Sequence, residues 1–262
     1  MKKIIQLLLI CTFLTPQLSL AGIVILANDE WPTSNTGFSQ APSATNYVQN
    51  IASFFADGVT GNFHAYSNNF SMTGSSLANA MTSAGHTWSV GTNINFDLST
   101  LQGFDGIFLA SSSVDFDVLT QYINSGGNIY LAGGTTSSTG ILANIWNPFL
   151  NQYGLGFSSV LIRDTANEPI SSSHVIFNNV SSLHQVGGQE VFDLDANDAR
   201  NQILEFDSNG RGMYAIYDAT VVPVPTAIWL FRHQKQDGPR SKQNTRSSPG
   251  SPIARLPRRC RA

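Results

Sequence analysis

Apolar runs of strand length alternate with stretches of helical period along most of the chain. Ile23-Val24-Ile25-Leu26-Ala27 is a continuous apolar run, as expected of a strand buried on both faces of a sheet. Tyr47, Val48, Ile51, Phe54 and Phe55 then recur at helical spacing, and Gly58 suits a left-handed C-terminal cap. Residues 63–66 read as a second strand. A helix follows with Leu77, Ala80, Met81 and Ala84 on one face, capped by Thr73 or Ser75 and ended by Gly85. The unit then repeats: strands at 87–90 and 106–110, a helix from Asp115 through Phe116, Leu119, Tyr122 and Ile123, Gly126-Gly127, and a strand at 128–132.

Strand, helix, glycine, strand is the grammar of a parallel sheet. The pattern predicts a mainly parallel central sheet between helical layers, with 23–27, 106–110 and 128–132 as interior strands. Ile141, Leu142, Ile145, Trp146, Phe149 and Leu150 predict one more helix, kinked or ended by Pro148. Beyond Gly154 the pattern becomes irregular and serine-rich. Late strands are expected at 175–177, 189–192, 203–206 and 213–217, extending or edging the sheet.

Charge divides the chain into three. Residues 22–231 hold sixteen acids against three bases, Arg163, Arg200 and Arg211, a net charge of −13, whereas 232–262 hold nine of the fourteen bases. A body without lysine repels nucleic acid and anionic lipid, which are bound through clustered cations. The two cysteines, Cys11 and Cys260, lie outside the body, so the body has no disulfide, thiolate metal site or cysteine nucleophile.

The ends carry targeting patterns. Lys2 and Lys3 precede the apolar run 4–14, and Ser19-Leu20-Ala21 places small residues three and one before a cut, the pattern of a secretory signal peptide cleaved after Ala21. The run is too short and too interrupted to serve as a membrane anchor. The sequence thus predicts export through the Sec machinery, to the periplasm, cell surface or medium. Near the other end, Val222-Pro223-Val224-Pro225 followed by Thr226-Ala227-Ile228-Trp229-Leu230-Phe231 resembles the start of a PEP-CTERM sorting signal. That resemblance implies a Gram-negative source, processing by an exosortase and association with surface polysaccharide or biofilm material. In that family a glycine-containing apolar helix and a short basic end come next. Here the pattern breaks after Phe231 into a basic, proline- and serine-rich stretch. One reading is a frameshift that replaced the sorting helix; the other is an authentic basic tail. As written, 232–262 are expected to be disordered. The organisation is a leader (1–21), one α/β domain (22–218), a remnant of the sorting signal (219–231) and the tail.

Ala84-Gly85-His86, Phe104-Asp105-Gly106-Ile107-Phe108-Leu109 and Gly126-Gly127-Asn128-Ile129-Tyr130-Leu131-Ala132-Gly133-Gly134 resemble the class I glutamine amidotransferase-like fold, a flavodoxin-like three-layer sandwich. The resemblance covers about a quarter of the chain and implies architecture rather than chemistry. Catalytic members place a cysteine on the turn matching Ala132-Gly133, where this chain has none.

Candidate chemistry is sparse. Ser111-Ser112-Ser113 and Ser137-Ser138 follow strand ends, but neither lies in a Gly-x-Ser-x-Gly elbow. His64, His86, His174 and His184 are available as bases, yet nothing in the sequence sets one beside a particular serine. The segment led by His174 is similar to one in amidotransferase-like and trehalose-utilisation-like relatives, which implies a place at the pocket border. Asp193-Leu194-Asp195-Ala196-Asn197-Asp198 has carboxylates at alternate positions as in half an EF-hand loop, but Asp198 and Leu204 replace the required glycine and glutamate. Asn28-Asp29-Glu30-Trp31-Pro32 follows the first strand on the edge where such sheets bind ligands. Asn28, Asp29, Trp31, Ser111 and His174 are therefore the candidate binding surface, against the alternative that Trp31 covers the core while Asn28 and Asp29 cap a turn. The sequence calls for no metal and no cofactor. The reading that follows is an exported noncatalytic module; the alternatives are a secreted hydrolase or carbohydrate-active enzyme using that surface, and a calcium-stabilised adhesive domain.

Overall fold

The computed structural model describes residues 22–110, 114–134, 140–163 and 165–221. The leader and its cleavage residue Ala21, the motif at Val222, Pro223, Val224 and Pro225, the basic tail and Ser111 lie outside the described residues. Strand β1 (Ile23–Ala27) leads through a 3-10 turn (Trp31–Thr33) into α1 (Asn35–Gln40) and α2 (Ala44–Phe55). There follow β2 (Asn62–Ala65), α3 (Ser75–Ser83), β3 (Thr87–Val90), the one-turn α4 (Leu98–Leu101), β4 (Gly106–Ala110), α5 (Phe116–Asn124), β5 (Ile129–Ala132) and α6 (Ile141–Leu150). The last third is built of β6 (Leu155–Ile162), β7 (Ala166–Pro169), β8 (Ser182–Gln185), β9 (Gly188–Asp193), β10 (Asn201–Phe206) and β11 (Gly212–Asp218).

Seven strands form the central sheet in the order β10-β11-β1-β5-β4-β2-β3. The five from β1 to β3 in that order are parallel; β11 and β10 add antiparallel pairs on the far side of β1. β1, β5 and β4 are interior, as their apolar runs predict. Successive side chains of a strand point to opposite faces, and here they feed two cores. Ile25, Phe108 and Tyr130 pack with Tyr47, Val48 and Ile51 of α2 and with Leu77 and Met81 of α3. Leu26, Ile107 and Leu131 pack with Leu119 and Ile123 of α5 and with Trp146 and Phe149 of α6. Helices thus cover both faces of a mainly parallel sheet, the arrangement expected of a three-layer sandwich. Each large side chain so buried contributes roughly 1.5–3 kcal/mol.

Asp115 caps α5 by accepting hydrogen bonds from the Asp117 and Val118 N–H groups. Gly74 occupies the cap of α3, where Thr73 or Ser75 was expected. Pro148 neither ends nor breaks α6. Its ring removes the bond to the carbonyl four residues back, but Asn144 and Pro148 are both exposed, on the solvent side of the helix, while Trp146, Phe149 and Leu150 stay buried. Residues Val175–Phe177 form a 3-10 turn rather than a strand, because the His174 imidazole Nδ1 accepts from the Ile176 N–H and bends the chain. β9 leaves the central sheet and pairs with β6, and β7 pairs with β8.

One buried amide ties the amino-terminal edge of the sheet together. Asn128 Oδ1 accepts from the Ile23 N–H (3.1 Å), while its Nδ2 donates to the carbonyls of Phe55 (3.1 Å) and Asp105 (2.9 Å). Replacing it leaves two buried backbone groups, the Ile23 N–H and the Phe55 carbonyl, and the part-buried Asp105 carbonyl without this partner. Asn128→Ala is expected to lower unfolding stability by about 2–4 kcal/mol, read as a reduced denaturant midpoint with an unchanged slope; a loss under about 0.5 kcal/mol would contradict this role.

Candidate carboxyl-edge site

β1 delivers Asn28 and Asp29 to the carboxyl edge of the sheet, and both are fully buried. Asp29 turns toward the connection between β8 and β9. Its Oδ2 accepts the N–H groups of Val186 (2.6 Å) and Gly187 (3.0 Å), and its Oδ1 accepts that of Trp31 (3.1 Å). The carboxylate therefore clamps a connection 157 residues away in sequence to the turn after β1. Gly187 has φ +137°, which favours glycine at the clamped position. Burial raises the Asp29 carboxyl to about 6, and the backbone N–H donors offset only part of that rise.

Asn28 is held differently. Its N–H donates to the Met213 carbonyl (2.8 Å), while neither atom of its side-chain amide has a hydrogen-bond partner. A Cβ at Gly133 or Gly188 would collide with the Asn28 carbonyl oxygen, so both neighbours are glycine for close approach. Beneath Asp29, the rings of Tyr47, Tyr130 and Tyr214 meet edge to face at 5.6–6.2 Å, and the Gln185 Nε2 donates to the Tyr214 hydroxyl (2.6 Å). Burial pushes all three phenols up.

Trp31 is half-buried and meets Phe70 edge to face at 5.0 Å, with the His184 imidazole at 6.3 Å. Phe70, in the loop after β2, is 47% exposed. The two aromatics form a surface above the clamp that the sequence reading found only through Trp31. Phe70 lies in a serine- and asparagine-rich loop, where nothing in the local pattern distinguishes it from a core residue.

His174 does not join this edge. Its ring packs edge to face on Phe54 (5.5 Å), at the end of α2 that Asn128 ties to the start of β1. It therefore sits at the opposite, amino-terminal edge, near an open recess of about 450 Å³ lined by Asn50, Phe54, Asp57, Val175 and Asn178. Asn28, Asp29 and Trp31 come together; His174 does not, and it cannot act as a base for them. His86 accepts the Gly61 N–H at Nδ1 (3.0 Å) and packs on Phe63, a structural role in a helix-to-strand connection. His64 lies 2.7 Å, Nδ1 to Oγ, from Ser89 on the neighbouring strand. Only the register between two strands reveals that pairing.

The acids at 193–198 are occupied by turns. Asp193 and Asp195 accept the N–H groups of Asp195 and Asn197, and Asp198 pairs with Arg200 at 2.6 Å. Among the described residues no group of three or more His, Cys, Asp or Glu is placed to hold a metal ion, and no helix is long and apolar enough to cross a membrane.

The Asp29 clamp has a pH signature. A carboxyl whose folded-state value is raised from 3.8 to about 6 contributes stability that is full below pH 3.8 and is lost as pH rises through about 6. This group alone is expected to lower stability by roughly 3 kcal/mol from pH 3.5 to pH 7.5. Denaturant unfolding of wild type and Asp29→Asn across that range checks it: the difference between the two proteins should change with pH around 6, and a constant difference would refute the raised value.

No protein-family model matches the chain, and no curated protein or solved structure matches it either.

Proposed function

We propose that this chain is an exported module of the PEP-CTERM type that binds uncharged extracellular polysaccharide at the carboxyl edge of its sheet. The observation that carries the reading is the Trp31–Phe70 pair, an aromatic surface with Phe70 47% exposed, set where open α/β sheets receive ligands. Aromatic faces pack against the apolar C–H faces of sugar rings while nearby polar groups meet the hydroxyls. Asn35 and Asn68 supply exposed amides in the adjoining segments. The net charge of −13 over 22–231 disfavours acidic polymers and nucleic acid, which leaves neutral glycans as the matching partner. The export leader and the proline motif at 222–225 support a destination where such polymers occur. In this reading Asn28 and Asp29 support the surface from beneath, and no cofactor takes part.

The strand order supports a flavodoxin-like kinship for the domain. Counted from β2, the parallel strands β3-β2-β4-β5-β1 stand as second, first, third, fourth and fifth, the flavodoxin order, with the chain's first strand in the fifth place. The class I amidotransferase-like phrases fall on the approach to the second of these places and on the third and fourth.

Affinity gel electrophoresis of the purified protein against dextran, galactomannan and hydroxyethyl cellulose, with alginate as the acidic comparison, tests the binding reading. At least one neutral polymer should retard the protein, and Phe70→Ala should weaken that binding roughly tenfold without altering the fold, the loss expected for one aromatic contact. Retardation by alginate alone, or undiminished binding by Phe70→Ala, would overturn it. For the tail, resequencing the gene is expected to recover an apolar, glycine-containing segment in another frame just after the Phe231 codon. Absence of such a frame would establish the basic tail as authentic.

A further inference from the structure

His64 and Ser89 sit side by side near the carboxyl ends of β2 and β3, at register-paired positions. The His64 Nδ1 lies 2.7 Å from the Ser89 Oγ, and its Nε2 lies 3.0 Å from the Gly91 carbonyl oxygen. A carbonyl can only accept, so Nε2 carries the proton and Nδ1 is left to accept from the serine hydroxyl. The imidazole is 2% exposed and is stacked on Phe104 at 5.1 Å, whereas Ser89 is exposed. A fixed, buried base thus faces a solvent-accessible hydroxyl, with a third group orienting the base from behind, the relation that activates a weak nucleophile. Burial holds the imidazole below the usual histidine range, which keeps it neutral and able to take a proton at pH 7.

Two further features suit an acyl substrate. β3 ends the sheet order, and the Thr87 and Gly91 N–H groups bond inward to β2. Strand alternation therefore turns the Val90 N–H, next to Ser89, away from β2 toward the edge that no strand covers among the described residues, where it can donate to a developing oxyanion. Tyr66, Phe96 and Phe104 lie partly buried on the same face, with Tyr66 and Phe96 4.6 Å apart, and offer an apolar shelf beside the hydroxyl.

We propose that Ser89 and His64 form a nucleophile–base pair that hydrolyses carboxylic esters of small acyl groups. The Ser89 Oγ bonds to the ester carbonyl carbon as its proton passes to His64 Nδ1. The tetrahedral intermediate collapses, the carbon–alkoxy bond breaks, and the departing alcohol oxygen takes the proton from Nδ1. Water then gives its proton to Nδ1 and attacks the acyl-serine. Ser89 leaves with that proton, and the carboxylic acid is released. Throughout, the Nε2–H stays on the Gly91 carbonyl and steadies the imidazolium. This activity belongs to a different part of the sheet from the Trp31–Phe70 surface and stands or falls separately from polymer binding.

The test is labelling of the purified full chain with a fluorophosphonate, mapped by peptide mass spectrometry, together with hydrolysis of p-nitrophenyl acetate. The label should reside on Ser89. Hydrolysis should fall on the order of 100-fold or more in Ser89→Ala and in His64→Gln, the span of general-base catalysis. Ser89 is exposed, so Ser89→Ala keeps its fold and decides the matter even if His64→Gln does not fold. Label on another residue, no label, or undiminished hydrolysis by Ser89→Ala would overturn the proposal and leave a structural cross-strand hydrogen bond.

Discussion

The rest of the structure depends on satisfying β1, a five-residue strand that is at most 6% exposed at any position and flanked by strands on both edges. No water reaches its backbone, so every N–H and C=O there needs a protein partner. β5 supplies one ladder and β11 the other, while the side chains of Asn128 and the carbonyl of Met213 take the N–H groups at the two ends. Burial of both faces requires α2 and α3 on one side and α5 and α6 on the other. The long irregular segment after α6 is then bound to return, because without β11 the outer edge of β1 would be left open.

That constraint also explains what was legible in the sequence. Strands buried on both faces read as unbroken apolar runs, and so β1, β4 and β5 could be located and placed in the sheet interior. Of the outlying pairs only β9 has a strand's pattern, at 189–192, and nothing in it shows that it leaves the central sheet; β6, β7 and β8 are not legible. β7 is Ala-Asn-Glu-Pro, almost wholly exposed, and carries no strand signal, while Val-Ile-Phe at 175–177 has a strand's composition but is turned by the capping imidazole of His174. Local composition is silent on a side chain that bonds two residues ahead.

The site divides in the same way. Asp29 could be singled out because it follows the first strand, and capping was a stated alternative for it. Its partners at 186 and 187 could not be foreseen, since their amides have no sequence signature. Likewise a histidine and a serine 25 residues apart become neighbours only once β2 and β3 are in register. Serine-rich clusters drew attention in the sequence because they follow strand ends, whereas the serine that meets a histidine lies within an edge strand. The carboxyl edge thus combines a buried polar scaffold with an exposed aromatic face, and one carboxylate serves both by fixing the turn that carries Trp31.

Hydrogen exchange at the Val186 and Gly187 amides, resolved by NMR, tests most directly whether Asp29 is the scaffold of that edge. Both amides lie in a connection outside any strand, where amides ordinarily exchange fast. If the carboxylate holds them as the geometry requires, they will exchange nearly as slowly as the amides of β1 and will lose that protection in Asp29→Ala. Fast exchange of both amides in the wild-type protein would contradict the clamp and, with it, the account of the carboxyl edge.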